Sequence, residues 1–187
     1  MNSANWQFFQ AFLRAPRVVA SMVPSSQFLE RRVVASARLD RAGAVVELGA
    51  GTGGTTRALL ESLGGHGRLL AIERTEDFVP VLQSIGDPRL TVVHGCASRI
   101  CEELTAHGLD GADAVISGIP FSSLAPELAR RIASEVHDAL LPGGRFVAYQ
   151  FTDRVADYAT PVFGAPRVEH EFRNLPPVRV YTWERRG

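Results

Sequence analysis

Val45-Val46-Glu47-Leu48-Gly49-Ala50-Gly51-Thr52-Gly53-Gly54-Thr55 decides the fold of this chain. An apolar run with an acid near its end passes into a glycine-rich turn and then into residues suited to a helix start. Glycines at such a turn permit positive φ and let a ligand approach the backbone closely, while the helix N-terminus presents free N–H groups. A nucleotide-like ligand is expected on this turn.

Working outward, residues 44–48 read as a strand and 54–63 as the helix that follows. Short apolar runs recur at 68–73, 90–94, 112–117 and 144–151, separated by amphipathic stretches at 76–84, 98–107 and 125–140. This alternation predicts βα units and a Rossmann-like, doubly wound α/β fold with a mostly parallel sheet. Beyond Phe151 the pattern changes. Residues 168–172 and 178–183 read as strands joined through Asn174-Leu175-Pro176-Pro177, too short a connection for a crossover helix, so a C-terminal antiparallel hairpin is expected. Before the sheet, Trp6, Phe9 and Leu13 stand at helical spacing, and Pro24-Ser25-Ser26 reads as a break and cap before a second helix from about Gln27.

The chain of 187 residues, 45% hydrophobic, fits one core and hence one domain. Within it, 1–42 form an N-terminal helical lid or membrane-contact segment and 43–187 the cofactor-binding core. The 20 basic residues are all arginine and balance 20 acids, so no overall field favours nucleic acid. Without lysine there is neither Schiff-base chemistry nor a Walker-type phosphate loop. Cys96 and Cys101 are the two cysteines; their spacing fits neither a zinc knuckle nor a redox pair, no metal site is legible, and a reducing cytosol is the expected compartment. No stretch approaches the roughly 20 apolar residues that span a bilayer, so the chain reads as neither secreted nor integral.

Taken as a glycine pattern, Gly49, Gly51 and Gly54, with Glu73 19 residues further on, also satisfy the dinucleotide fingerprint, and spacing alone does not separate the two cofactors. Glu47 tilts the choice. Its charge would repel a pyrophosphate and suits the cationic amino-acid portion of S-adenosylmethionine. Glu73, with two oxygens, can accept both ribose hydroxyls of an adenosine. The loop His94-Gly95-Cys96-Ala97 falls where the adenine would lie; a thiol is a poor substitute for the acid that methyltransferases often carry there, which leaves adenine contacts to the backbone.

Ser117-Gly118-Ile119-Pro120-Phe121 follows the fourth strand, where a methyl acceptor would sit. The segment is similar to the Asn-Pro-Pro-Tyr type loop of amino methyltransferases, in which side-chain and backbone oxygens hold an amine and an aromatic packs over it. Together with 46–53, the opening Phe8-Phe9-Gln10-Ala11-Phe12-Leu13-Arg14-Ala15-Pro16-Arg17, Pro24-Ser25-Ser26 and the tail Arg173-Asn174-Leu175-Pro176-Pro177, it resembles the bacterial soluble-type phospholipid N-methyltransferases, similar in core to the ribosomal RNA adenine dimethyltransferases. The resemblance covers nearly the whole chain. It implies stepwise methylation of phosphatidylethanolamine toward phosphatidylcholine, with Ser117 to Phe121 at the acceptor and Arg173 and Asn174 toward the headgroup. It also implies cofactor contacts by Ser26, Glu47, Gly49, Gly51, Thr52, Gly53, Glu73, Arg74, Gly95, Cys96, Ala97 and Ser117.

There are departures: Cys96 stands where the family is usually acidic, and Phe151 where it often has a tyrosine. A lipid substrate further implies contact with an anionic membrane surface through residues 6–17, peripheral to the inner face, and the first 43 residues carry six arginines against Glu30 and Asp40. Methylation of RNA adenine or of a small-molecule amine, a noncatalytic S-adenosylmethionine-binding module and a nicotinamide-dependent oxidoreductase are the competing readings.

Overall fold

The computed structural model describes residues 26–174 and 176–187. The aromatic residues at 6–12, the break at Pro24-Ser25 and the membrane-contact segment expected at 6–17 lie outside the described residues. Helix α1, Gln27–Ala37, starts where the sequence places it: the Ser26 hydroxyl accepts from Leu29 N–H at 3.2 Å, supplying one of the bonds that the first turn of a helix lacks. It ends at Arg38, the one non-glycine described residue at positive φ.

Seven strands follow: β1 Ala44–Leu48, β2 Arg68–Glu73, β3 Leu90–His94, β4 Ala112–Ser117, β5 Leu140–Gln150, β6 Arg167–Glu171 and β7 Val178–Glu184. Between them lie α2 Gly54–Ser62, α3 Val79–Gln83, α4 Ile100–Ala106, α5 Pro126–Ala139 and α6 Arg154–Phe163. The sheet runs β3-β2-β1-β4-β5-β7-β6, with parallel pairing from β3 through β5 and antiparallel pairing of β7 with both β5 and β6. This is the doubly wound α/β sheet with an antiparallel C-terminal hairpin. One detail departs from the linear reading: the last strand inserts between β5 and β6, so the hairpin joins the sheet by its second arm. The segment 154–163, not read as an element from sequence, is a helix that buries Val155, Ala159 and Phe163 at four-residue spacing.

β1 is buried along its whole length at the centre of the sheet, and its alternate residues face two different cores. Val46 and Leu48 pack with α4, α5 and α6 on one side; Val45 packs with α1 and α2 on the other. α5 contributes Ala129, Ile132, Ala133, Val136 and Ala139, a stripe at three- and four-residue spacing that fits one helix face. In register, Leu48 stands between Ile72 of β2 and Ser117 of β4, so the ends of three strands arrive together at one edge. Strand order reverses between β1 and β4, and the crevice at such a switch point is where open α/β sheets bind ligands.

Candidate active site

Three loops open at that edge, and each is built from the strand that precedes it. After β1, Gly49 has φ 74° and any Cβ there would stand 3.0 Å from Ile119 Cγ1, so the turn needs glycine for both conformation and space. Gly51 follows at φ 55° and donates its N–H to Glu73 Oε2 at 2.9 Å. Glu73 closes β2, only 5% exposed, and its other oxygen accepts from Thr75 N–H at 2.7 Å. Two backbone donors thus fix the carboxylate, leaving each oxygen with lone-pair capacity toward the crevice. After β3, Gly95 N–H donates to Glu73 O at 2.9 Å, tying the third loop to the second.

A cavity of about 390 Å³ lies between these loops and the start of the acceptor loop. Of the cofactor residues expected from sequence, Gly49, Gly51, Thr52, Glu73, Arg74, Gly95, Cys96 and Ala97 line it; Gly53, Glu47, Ser26 and Ser117 do not. Glu47 is buried beneath the glycine turn, where Oε2 accepts from Thr56 Oγ1 at 2.6 Å. Burial pushes its carboxyl up to about 7, against the lowering effect of the Thr56 hydrogen bond and with a further upward push from the Glu73 charge. Burial also pushes the Cys96 thiol up, but hydrogen bonding from Ser98 and the charges of Arg74 and Arg131 outweigh it and hold the thiol below its ordinary value.

At the acceptor end, Gly118, Ile119 and Pro120 line the cavity, whereas Ser117 and Phe121 point into the protein. Ser117 is fully buried, and its Oγ accepts from Ile119 N–H at 3.3 Å, which shapes the turn from behind. Phe121, expected over the acceptor, is buried against Tyr158 of α6, with ring centroids 6.4 Å apart. Two residues of β5 that sequence reading passed over take part instead. Tyr149 lines the cavity with its hydroxyl 3.3 Å from Thr55 Oγ1. Buried Gln150 donates from Nε2 to Ile119 O at 2.7 Å and accepts from Phe121 N–H at 3.2 Å, clamping the acceptor loop through its backbone. Their signal was positional: both stand at the carboxyl end of a strand bordering the switch point.

Ser26, Arg173 and Asn174 come together elsewhere, where α1 begins beside the β6–β7 connection. Asn174 Oδ1 accepts from Ser26 N–H at 3.3 Å. The Arg173 guanidinium lies 4.2 Å from the Phe28 ring centroid and donates from Nε and Nη2 to Glu171. Arg173 also lines a shallow groove of about 310 Å³ with Phe28, Arg31, Arg32 and Arg167. No three metal-ligating side chains converge among the described residues.

The strand order, the glycine turn and an anchored acid at the end of β2 define an S-adenosylmethionine-dependent methyltransferase. The sequence profile of the family described as ribosomal RNA adenine dimethylase matches residues 1–97, and the chain belongs to this family. It is 33% identical over 184 residues to an ornithine lipid N-methyltransferase of Singulisphaera acidiphila, covering 93% of this chain and 92% of that protein. Among solved structures it is similar to the 1,6-didemethyltoxoflavin-N1-methyltransferase of Burkholderia thailandensis, with TM-score 0.65 and 20% identity over 98% of this chain and 88% of that one. It is also similar to the N-methyltransferase NodS of Bradyrhizobium japonicum WM9, with TM-score 0.68 and 12% identity over 88% of this chain and 100% of that one. The last two likenesses concern the fold.

Proposed function

We propose that this protein methylates the primary amine of a membrane amino lipid, with ornithine-type and phosphatidylethanolamine headgroups as the two candidate acceptors. The observation that carries this reading is the full-length similarity to a lipid N-methyltransferase, which spans the acceptor loop and the hairpin as well as the glycine turn. The match to the ribosomal RNA adenine dimethylase profile stops at residue 97, before the acceptor loop begins, and so speaks for the cofactor half of the site.

The cavity's polar groups fit S-adenosylmethionine. Glu73 offers two backbone-anchored carboxylate oxygens to a ribose diol, and the turn from Gly49 to Thr52 offers backbone at close range to the amino-acid end. Ala97 and Ile72 supply apolar walls for a base. When bound, the cofactor supplies an electrophilic sulfonium methyl. What remains for the chain is to hold a neutral amine in line with it, and in well-oriented intramolecular reactions such alignment accounts for as much as about 7 to 11 kcal/mol of the barrier. Ile119 and Pro120 border that position, held by Gln150 and Ser117. No strong dedicated base is required, because the amine's proton can leave to water.

Arg173 and Asn174 do not line this cavity, and Arg173 is held by Glu171, so the headgroup contact expected of them is not part of the proposal; membrane contact through residues 6–17 is. Among the described residues no helix is long and apolar enough to cross a membrane. The test is transfer of labelled methyl groups into vesicles containing ornithine lipid, phosphatidylethanolamine or neither, alongside structured RNA. Label in an amino lipid is expected; label in RNA alone would transfer the assignment to the dimethylase activity of the family.

A further inference from the structure

The cavity of about 390 Å³ lies near the small end of small-molecule sites, with room for the cofactor and an amine but not for the acyl chains of a lipid. An amino lipid therefore stays in its bilayer while its headgroup is methylated, and the edge of the sheet that carries the cavity has to meet the bilayer surface.

That edge continues beyond the cavity. β5 and β6 both pair antiparallel with β7, so they run the same way and end at the same edge. In register, Gln150 of the acceptor-loop clamp, Arg179 and His170 form one row, which puts His170 two strand spacings, about 10 Å, from Gln150. Phe172 follows past the end of β6 and stacks on the His170 ring, with centroids 5.6 Å apart. Its exposure is 75%; the next large apolar side chain among the described residues, Phe28 in the first turn of α1, reaches 43%. The turn that presents Phe172 is held in place. Arg173 N–H donates to Glu171 Oε1 at 3.0 Å, and Asn174 accepts from Ser26 N–H of the α1 cap and donates to Pro176 O at 2.9 Å.

Cations flank these aromatics. Exposed Arg31, one turn along α1 from Phe28, has no carboxylate partner among the described residues and lines the groove between α1 and β6 with Arg32, Arg167 and Arg173. Four arginines here stand against two acids, Glu169 and Glu171, which Arg32, Arg167 and Arg173 already engage. The local charge is positive in a chain whose total is zero.

We propose that the β6–β7 turn and the first turns of α1 are a membrane-docking surface: Phe172 enters the interfacial layer of the bilayer and Arg31 meets its anionic headgroups. This rests on the amino-lipid reading above and adds a second contact to the one proposed for residues 6–17. The apolar part is small and its rim rich in arginine, which suits a headgroup layer better than the larger apolar centre of a stable protein interface. Docked in this way, the protein turns the edge that holds the acceptor loop toward the lipid amines.

The test is flotation with vesicles of phosphatidylcholine alone or mixed with phosphatidylglycerol, neither containing an amino lipid, with S-adenosylhomocysteine binding measured by calorimetry on the same preparations. Wild type is expected to partition onto the anionic vesicles. Phe172→Ser should weaken that partition at least tenfold, the effect of losing one apolar side chain from the interface. Arg31→Gln should weaken it about fivefold, the contribution of one charge near an anionic surface. Val81→Ser, at an exposed apolar position in α3 before the opposite edge strand, should leave it unchanged. All three variants should bind S-adenosylhomocysteine as wild type does. Wild type that stays off anionic vesicles, undiminished partition of Phe172→Ser, or equal loss in Val81→Ser overturns the proposal. So does a change of oligomeric state in Phe172→Ser with vesicle binding intact. Partition that depends on Phe172 and Arg31 in a protein that methylates no amino lipid overturns the acceptor reading alone, which separates the two failures.

Discussion

Glu47 sets a pH dependence of stability that can be calculated in sign and scale. The side chain is 1% exposed, Oε1 has no hydrogen-bond partner among the described residues, and burial raises the carboxyl from its ordinary 4.5 to about 7. The folded state therefore binds this proton more tightly than the unfolded chain does. Stability is greatest below 4.5 as far as this group is concerned, falls as pH rises through the window to about 7, and is level beyond it. At about 1.4 kcal/mol for each tenfold change, the window carries about 3 kcal/mol. Glu47→Gln cannot titrate. Its carboxamide can still accept from Thr56, but it puts an N–H₂ where Oε1 stands unpartnered, a cost of about 1 to 3 kcal/mol that does not vary with pH. Urea unfolding of both proteins at intervals from pH 5 to pH 8 gives the difference, in which the five histidines and other shared groups cancel. Wild type minus variant should decline by most of that amount up to pH 7 and then flatten. A difference that stays constant, or grows with pH, refutes the burial argument.

Further expectations follow from the same contacts. Glu73→Gln keeps one anchored oxygen and sets an amide N–H₂ against the other backbone donor, so S-adenosylhomocysteine affinity should drop roughly tenfold by calorimetry and stability should fall by about 1 to 3 kcal/mol in urea unfolding. Gln150→Leu strands Ile119 O and Phe121 N–H; steady-state kinetics should show kcat reduced about tenfold, with nucleoside affinity nearly intact, because the clamp touches only the acceptor loop. Glu171 is held down to about 2, first by Arg173 and also by Arg32. Its contribution is present above its ordinary 4.5 and is lost as pH falls toward about 2, so Glu171→Gln should blunt acid unfolding relative to wild type while lowering stability at neutral pH.

The parallel half of the fold was legible because βα units write themselves in alternating periods, and the glycine turn with Glu73 fixed which edge of the sheet carries the site. What escaped depends on tertiary competition. The helix at 154–163 contains Pro161, which argues against a helix locally, yet Val155, Ala159 and Phe163 reach the core and prevail. The insertion of β7 between β5 and β6 is a choice of neighbour, and a hairpin's own sequence is compatible with either arm inward. Ser117 and Phe121 were read as facing the acceptor because of their place in a motif, but β4 is a central strand and Ser117, the last residue it buries, has no access to the cavity. Tyr149 escaped for the complementary reason: it lines the cavity from the end of a strand at which the family resemblance had drawn attention to Phe151 instead.

Methylation of an amino lipid by this protein is decided by the fate of the methyl group from labelled S-adenosylmethionine given to amino-lipid vesicles and the purified protein, with products resolved by headgroup. Labelled N-methyl lipid is expected from wild type and little or none from Glu73→Ala. Lipid that stays unlabelled while the wild-type protein binds S-adenosylhomocysteine would contradict it.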